Sequence, residues 1–333
     1  MNSYFSAAWG KNLTLSAVRK IENQLTTFDV TKPAELSLVS EELRLYFSSY
    51  GFDALMEEHP CSYCLGYLHL PAYRFVVHSW QQAEAKGTVL VSHGLFDHVG
   101  LYLSLVNMLL AAGYSVMAID FPGHGLSEGE PAVISDFEEY GFVIETTIDA
   151  MASFVNTPIY AIGQSTGGAA LLNYVLREPT PIKIEKLILM APLLRPKGWR
   201  KVNLLYILLR KFIRFVPRNF SVNSHDKVFI EFLKHFDPLQ PKKVSVQWTG
   251  AMRQWVMRFA SLPGSELPLM IIQGDKDDTV DWEYNLPAIS KKFKHSEIVM
   301  VEDAMHHLVN EGDAWRVQVF NSALRFLEKK PLV

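Results

Sequence analysis

Cysteine is almost missing. Cys61 and Cys64 are the only two in 333 residues, which excludes a disulfide framework. Their Cys-x-x-Cys spacing, with His59 and His69 nearby, would suit half of a zinc site or a redox pair. No second Cys-x-x-Cys exists and no strand-to-helix turn follows, so the two read as small hydrophobes beside an early strand. An excess of basic charge is missing too. The formal net charge of −3 gives no hint of nucleic-acid binding. Met1 to Trp9 lacks the basic start of a signal peptide, and Lys11, Arg19 and Lys20 interrupt any apolar stretch behind it. One uncharged run, Val99 to Ile119, is long enough to span a bilayer. Ala112-Gly113-Tyr114 splits it into a helix and a strand, and Ser104 and Asn107 break its apolar face. A cytoplasmic protein is expected. Internal repeats and low-complexity tracts are also lacking. What remains, 49% hydrophobic and 20% charged, is ordinary globular composition.

The chain is long enough for one large core, or a core plus a cap. Residues 1–60 read as a helical extension, with Leu36, Val39, Leu43 and Tyr46–Phe47 at helical spacing and Gly51 as a stop. Tyr63 to Leu70 and Tyr73 to Trp80 read as a hairpin turning at Pro71. Strands then alternate with helices, at Thr88–Ser92, Tyr114–Ile119, Ile159–Ile162, Lys186–Met190, Leu267–Gln273 and Glu297–Val301. Short, apolar, β-branched strands separated by helices predict an α/β fold with a mostly parallel central sheet flanked by helices. Between Leu193 and Leu262 no convincing strand occurs, and the segment is too rich in Leu, Phe and Trp for a loop. Residues 193–262 are therefore expected to form a helical cap over a core made of 61–192 and 263–333.

The chemistry centres on Gly163-Gln164-Ser165-Thr166-Gly167, a Gly-x-Ser-x-Gly pattern that follows the apolar run Ile159–Ile162 and opens a helix. A strand turning that sharply into a helix forms a nucleophile elbow, with the serine raised above the sheet and the next amides aimed at the same point. A serine hydroxyl needs a general base, and the base needs a third group to orient it. Asp277 follows the strand ending at Gln273 and holds the usual place of the acid; Asp275 and Asp278 compete. His306 follows the last strand and is the chosen base, with His307 as an exposed neighbour or substitute. Two backbone amides should bind the oxyanion, those of Thr166 and, after Thr88–Ser92, Leu95 beside Gly94.

His93-Gly94-x-x-x-His98-x-x-x-Tyr102, then Asp120-x-x-Gly123-His124-Gly125-x-Ser127-x-Gly129, then the serine motif, resemble the monoglyceride lipase and lysophospholipase branch of the α/β-hydrolases, the serine aminopeptidase-like group. The likeness covers roughly residues 73–325. It implies an α/β-hydrolase fold, a Ser165–Asp277–His306 triad, and the Leu95 and Thr166 amides as oxyanion hole. Asn310-Glu311 stands where the family has a similar pair after its histidine, which favours His306. Gln164 and Thr166 stand where the family more often has His and Met, and Pro122 replaces a frequent Arg. His98 and His124 are expected to hold loops rather than act as bases.

Arg195, Lys197, Arg200, Lys201, Arg210, Lys211, Arg214 and Arg218 put eight positive charges on a segment without acids. Val202, Leu205, Leu209, Phe212, Ile213 and Val216 form an apolar stripe among them. Such a helix suits an anionic membrane surface, with Arg200, Lys201, Arg210 and Arg214 as contacts, and the cluster favours a phosphate-bearing substrate. The expected function is hydrolysis of carboxylic esters of single-chain lipids through an acyl-enzyme, with no metal or organic cofactor. A short-chain carboxylesterase, an iminopeptidase-type peptidase and an acyltransferase would use the same triad.

Overall fold

The computed structural model describes residues 13–35, 39–155, 157–177 and 183–329. Met1 to Trp9, Lys11 and Leu36, which figured in the sequence reading, lie outside them. Among the described residues three helices come first. Thr14 caps α1 (Leu15–Gln24), and Ser40 caps α2 (Glu41–Tyr50) by accepting from the Leu43 amide at 3.2 Å. Val39 therefore precedes the helix instead of lying on it. Gly51, left-handed at φ 78°, ends α2 and lets α3 (Phe52–Glu58) start at once.

The strands β1 (Ser62–His69) and β2 (Arg74–Gln81) form an antiparallel hairpin. After them come β3 (Thr88–Ser92), α4 (Leu103–Ala111), β4 (Ser115–Ile119), α5 (Glu138–Ala152), β5 (Ile159–Gln164), α6 (Thr166–Val175) and β6 (Lys186–Met190). The uncharged run is thus a helix and a strand, and among the described residues no helix is long and apolar enough to cross a membrane. An insertion follows: α7 (Trp199–Leu209), β7 (Phe215–Pro217), α8 (Lys227–His235), β8 (Lys243–Ser245) and α9 (Val246–Phe259). β7 and β8 pair antiparallel, so this stretch does contain strands, contrary to expectation. Each is three residues long, too short to show an alternation, and β7 ends on Pro217. The chain returns to the sheet as β9 (Leu269–Gly274), α10 (Trp282–Ser290), β10 (Ser296–Val301) and α11 (Asp313–Glu328).

The sheet order is β1-β2-β4-β3-β5-β6-β9-β10. β2 runs antiparallel to both neighbours, and all other pairings are parallel. Alternate residues along each strand feed two separate cores. Val89 and Val91 of β3 and Met270 and Ile272 of β9 face one, with α1 to α4 and α11; Leu90, Leu269 and Ile271 face the other, with α5, α6, α9 and α10. Two covered faces explain the near-continuous apolar strands. β10, at the edge, is the exception and exposes Ile298 and Met300.

Candidate active site

Ser165 sits between β5 and α6 with φ 53° and ψ −113°, a conformation that a residue with a side chain rarely adopts. The turn survives because Gly163 and Gly167 approach each other closely. A Cβ on Gly163 would lie 2.7 Å from the Gly167 carbonyl carbon, and one on Gly167 would lie 2.2 Å from the Ser92 carbonyl oxygen. Glycine is needed here for space, not for its own backbone freedom.

The chain ends of β5, β9 and β10 bring three distant side chains into line. The Ser165 hydroxyl stands 3.0 Å from His306 Nε2, and His306 Nδ1 stands 2.8 Å from Asp277 Oδ2. All three residues are buried. Asp277 accepts further bonds from the amides of Thr279 (2.7 Å) and Val280 (3.1 Å) and from Gln273 Nε2 (2.9 Å). Burial pushes its carboxyl up, but the imidazole and these donors outweigh burial and hold it below its ordinary range. For His306, burial works to lower the pKa, and the Asp277 charge and hydrogen bond overcome it, leaving a net rise. The competing acids lie elsewhere. Asp275 accepts from the Asp303 amide, and Asp278 is exposed beside Lys197.

His307 differs from expectation. It is buried, 3% exposed, with Nε2 3.2 Å from Asp97 Oδ2. The tight turn after β10 sends the two neighbouring rings apart, one to Ser165 and the other under the loop after β3. Tyr102 donates to the same Asp97 oxygen at 3.0 Å and accepts from the Gly94 amide at 3.0 Å. His307 thus braces the loop that carries Leu95. Its burial beside an acid had no signal in the sequence.

Leu95 and Thr166 line the same cavity as Ser165 and His306. Thr166 is the first helical residue, so its amide has no partner within α6. Among the described residues the Leu95 amide makes no hydrogen bond.

Neighbouring residues explain the motifs around these three side chains. Asp120, fully buried, accepts from the amides of Val99 (2.7 Å) and Leu126 (2.9 Å) and so ties two loops together. His124 Nδ1 pairs with the Pro122 carbonyl oxygen, and His98 Nε2 with Asp237 Oδ2 at 3.0 Å, both loop-holding contacts. Glu311, also fully buried, accepts from the amides of Met305 and His225 and fixes the loop bearing His306. Gln164 accepts from the Val309 amide at 3.1 Å, which joins the elbow to that loop.

The cavity above Ser165 measures ≈ 300 Å³. Its apolar lining includes Leu193, Val202, Ile230, Leu233, Trp248 and Met252. None of Arg200, Lys201, Arg210 and Arg214 lines it. The first three are exposed, and Arg214 is paired with Glu130. Cys61 and Cys64 carry free thiols; burial pushes Cys61 up to about 11.

The family described as Serine aminopeptidase, S33, matches residues 83–313, which span the elbow, Asp277 and His306. The chain belongs to this hydrolase family. Monoglyceride lipase of Mus musculus is 30% identical over 240 residues, 68% of this chain and 77% of that protein. Phospholipase YtpA of Bacillus subtilis is 25% identical over 263 residues, 75% of this chain and 98% of its own length. A soluble variant of monoglyceride lipase from Saccharomyces cerevisiae, solved with a substrate analog, superposes with a TM-score of 0.69 at 21% identity, covering 79% of this chain and 94% of its own. That likeness establishes the α/β-hydrolase fold expected from the strand and helix alternation.

Proposed function

We propose that this family member hydrolyses carboxylic esters of single-chain lipids through an acyl-enzyme formed on Ser165. The observation that carries this reading is the unbroken hydrogen-bond line from Asp277 through His306 to Ser165 at the base of an apolar cavity. Relatives named monoglyceride lipase and phospholipase support the substrate class.

With Nδ1–H donated to Asp277, His306 presents an unprotonated Nε2 to the serine hydroxyl. Ser165 Oγ bonds to the ester carbonyl carbon while its proton passes to Nε2. The negative charge on the carbonyl oxygen is met by the Leu95 and Thr166 amides. The carbon–oxygen bond to the alcohol then breaks, and the alcohol leaves with the proton from His306. Water repeats the sequence on the acyl-serine and releases the fatty acid. Apolar lining residues hold the acyl chain, and the insertion between β6 and β9 serves as a cap. On its outer side Leu204, Leu205, Ile207, Leu208 and Phe212 are exposed near the cations Arg200, Lys201 and Arg210, an arrangement suited to an anionic lipid surface.

Ser165→Ala is expected to lower the hydrolysis of a monoacylglycerol and a lysophospholipid by roughly 10³-fold to 10⁶-fold with folding intact. The assay panel should include p-nitrophenyl esters of rising chain length, a proline amide, and an alcohol acceptor with product analysis. Full activity in the alanine variant would end the assignment. A preference for two-carbon esters, for the amide, or for transfer to the alcohol would replace it with esterase, peptidase or acyltransferase.

A further inference from the structure

Arg218 differs from the other arginines of the insertion. Arg218, just after β7, lines the cavity that holds Ser165. Its guanidinium lies between two aromatic rings, 4.1 Å from the centroid of Phe96 and 4.3 Å from that of Phe220. Nη1 donates to the side-chain oxygen of Gln240 at 2.8 Å and to the Pro241 carbonyl at 3.3 Å. Nε and Nη2 have no acceptor among the described residues. Nor does any carboxylate among them reach ion-pair distance, whereas Arg195, Arg214 and Arg258 all have one. Lys234, which also lines the cavity, likewise has no carboxylate partner among the described residues.

The nearest acids are already engaged. Asp97 is held by His307 and Tyr102, and Asp237 by His98, Tyr50 and Gln240. Burial pulls Arg218 down to about 10, partly offset by those two acids, so it stays charged at neutral pH. A half-buried charge without a counter-ion is costly unless a ligand supplies one. A planar guanidinium with a free edge matches phosphate oxygens in pairs. Phe96 adds a second, independent sign. It is held at φ 69°, which a phenylalanine rarely tolerates, and it directly follows Leu95. Its ring supports the guanidinium, so Arg218 packs against the loop that carries the proposed oxyanion donor.

We infer that Arg218 forms an anion subsite for the headgroup, and that the preferred substrate is a monoacyl glycerophospholipid rather than a neutral monoglyceride. The catalytic part of this inference rests on the function proposed above; the binding part does not.

Two arms separate them. In the first, calorimetry on Ser165→Ala compares decyl phosphate, 1-decylglycerol and inorganic phosphate, with and without a second change at Arg218. Arg218→Gln should weaken decyl phosphate at least tenfold relative to 1-decylglycerol, and Arg218→Lys should restore part of the difference. Equal weakening of both amphiphiles would show a merely structural role and overturn the inference. So would inorganic phosphate binding as tightly as decyl phosphate. In the second arm, the ratio of kcat/KM for 1-oleoyl lysophosphatidylglycerol over 1-monoolein should exceed one in the wild type and fall at least tenfold in Arg218→Gln. An unchanged ratio would overturn the inference. If the wild type hydrolyses neither lipid, the proposed function fails, while the calorimetric arm still decides the subsite.

Discussion

His306 feels two opposing influences on its proton. Burial disfavours the imidazolium, while the Asp277 carboxylate at 2.8 Å favours it and prevails. As the proposed base it would work only when neutral, so the direction of the shift fixes the direction of the pH effect. The acid limb of kcat/KM for a p-nitrophenyl ester should lie above the ordinary histidine value of about 6.5, with activity lost as the pH falls through it. Asp277→Asn removes the favourable charge and leaves burial. Its acid limb should move to lower pH, and kcat should fall about 10³-fold to 10⁴-fold because the imidazole loses its orientation. An acid limb that stays in place would disconnect Asp277 from His306. The sequence favoured His306 over His307 and Asp277 over Asp275 and Asp278 by position after the strands and by the family resemblance, but it held no sign of where the His307 ring goes. Adjacent residues in a tight turn point in different directions, and only the turn's backbone determines which ring meets the serine.

The elbow depends on two elements crossing where no side chain fits. A methyl group on Gly167 would press on the Ser92 and His93 carbonyls, at the end of β3 and the start of the loop bearing Leu95. Gly167→Ala should therefore lower the urea midpoint by the equivalent of about 1–3 kcal/mol. It should also slow fluorophosphonate labelling of Ser165 at least tenfold, since the displaced backbone leads into the loop of the proposed oxyanion donor. Wild-type labelling in a folded variant would mean that β3 and α6 can separate without harm. Elements of this kind were legible in the sequence. β3 and β6 match their expected bounds residue for residue, because strands covered on both faces carry an unbroken apolar run, here residues 89–91 and 187–190. The insertion was harder to read. Its strands are too short for a pattern, and α7 is apolar on two sides. Val202 turns into the cavity while Leu205 and Phe212 of the same expected stripe are exposed, and the stripe left out the outward Leu204, Ile207 and Leu208.

In the molecule as a whole, the proposed reaction draws on parts that the family match leaves out. The helices from Leu15 to Glu58 precede the matched region, yet Tyr46, Phe47, Tyr50 and Phe52 are fully buried with Tyr63 and Trp80 against the sheet. Tyr50 reaches across to donate to Asp237 of the insertion at 2.8 Å, and Asp237 holds His98 in the loop after β3. N-terminal helices, insertion and site loop are therefore joined by one buried polar chain. The described residues leave Leu204 and Leu208 of α7, and Phe212 just after it, uncovered: they are 57%, 58% and 84% exposed. Arg200, Lys201 and Arg210 form no ion pair among the described residues, so their charge is free to meet anionic headgroups. Each such cation contributes about 1 kcal/mol near a negative bilayer, and the effect is screened within a Debye length. The protein should sediment with vesicles containing phosphatidylglycerol and release as salt rises. Arg200→Gln with Lys201→Gln should weaken that binding roughly 10-fold to 30-fold. Leu208→Ser with Phe212→Ser should weaken it at low and high salt alike, because it removes apolar contact rather than charge. Binding indifferent to both pairs would place the membrane-facing side elsewhere on the molecule, and the acyl chain would then have to enter from water.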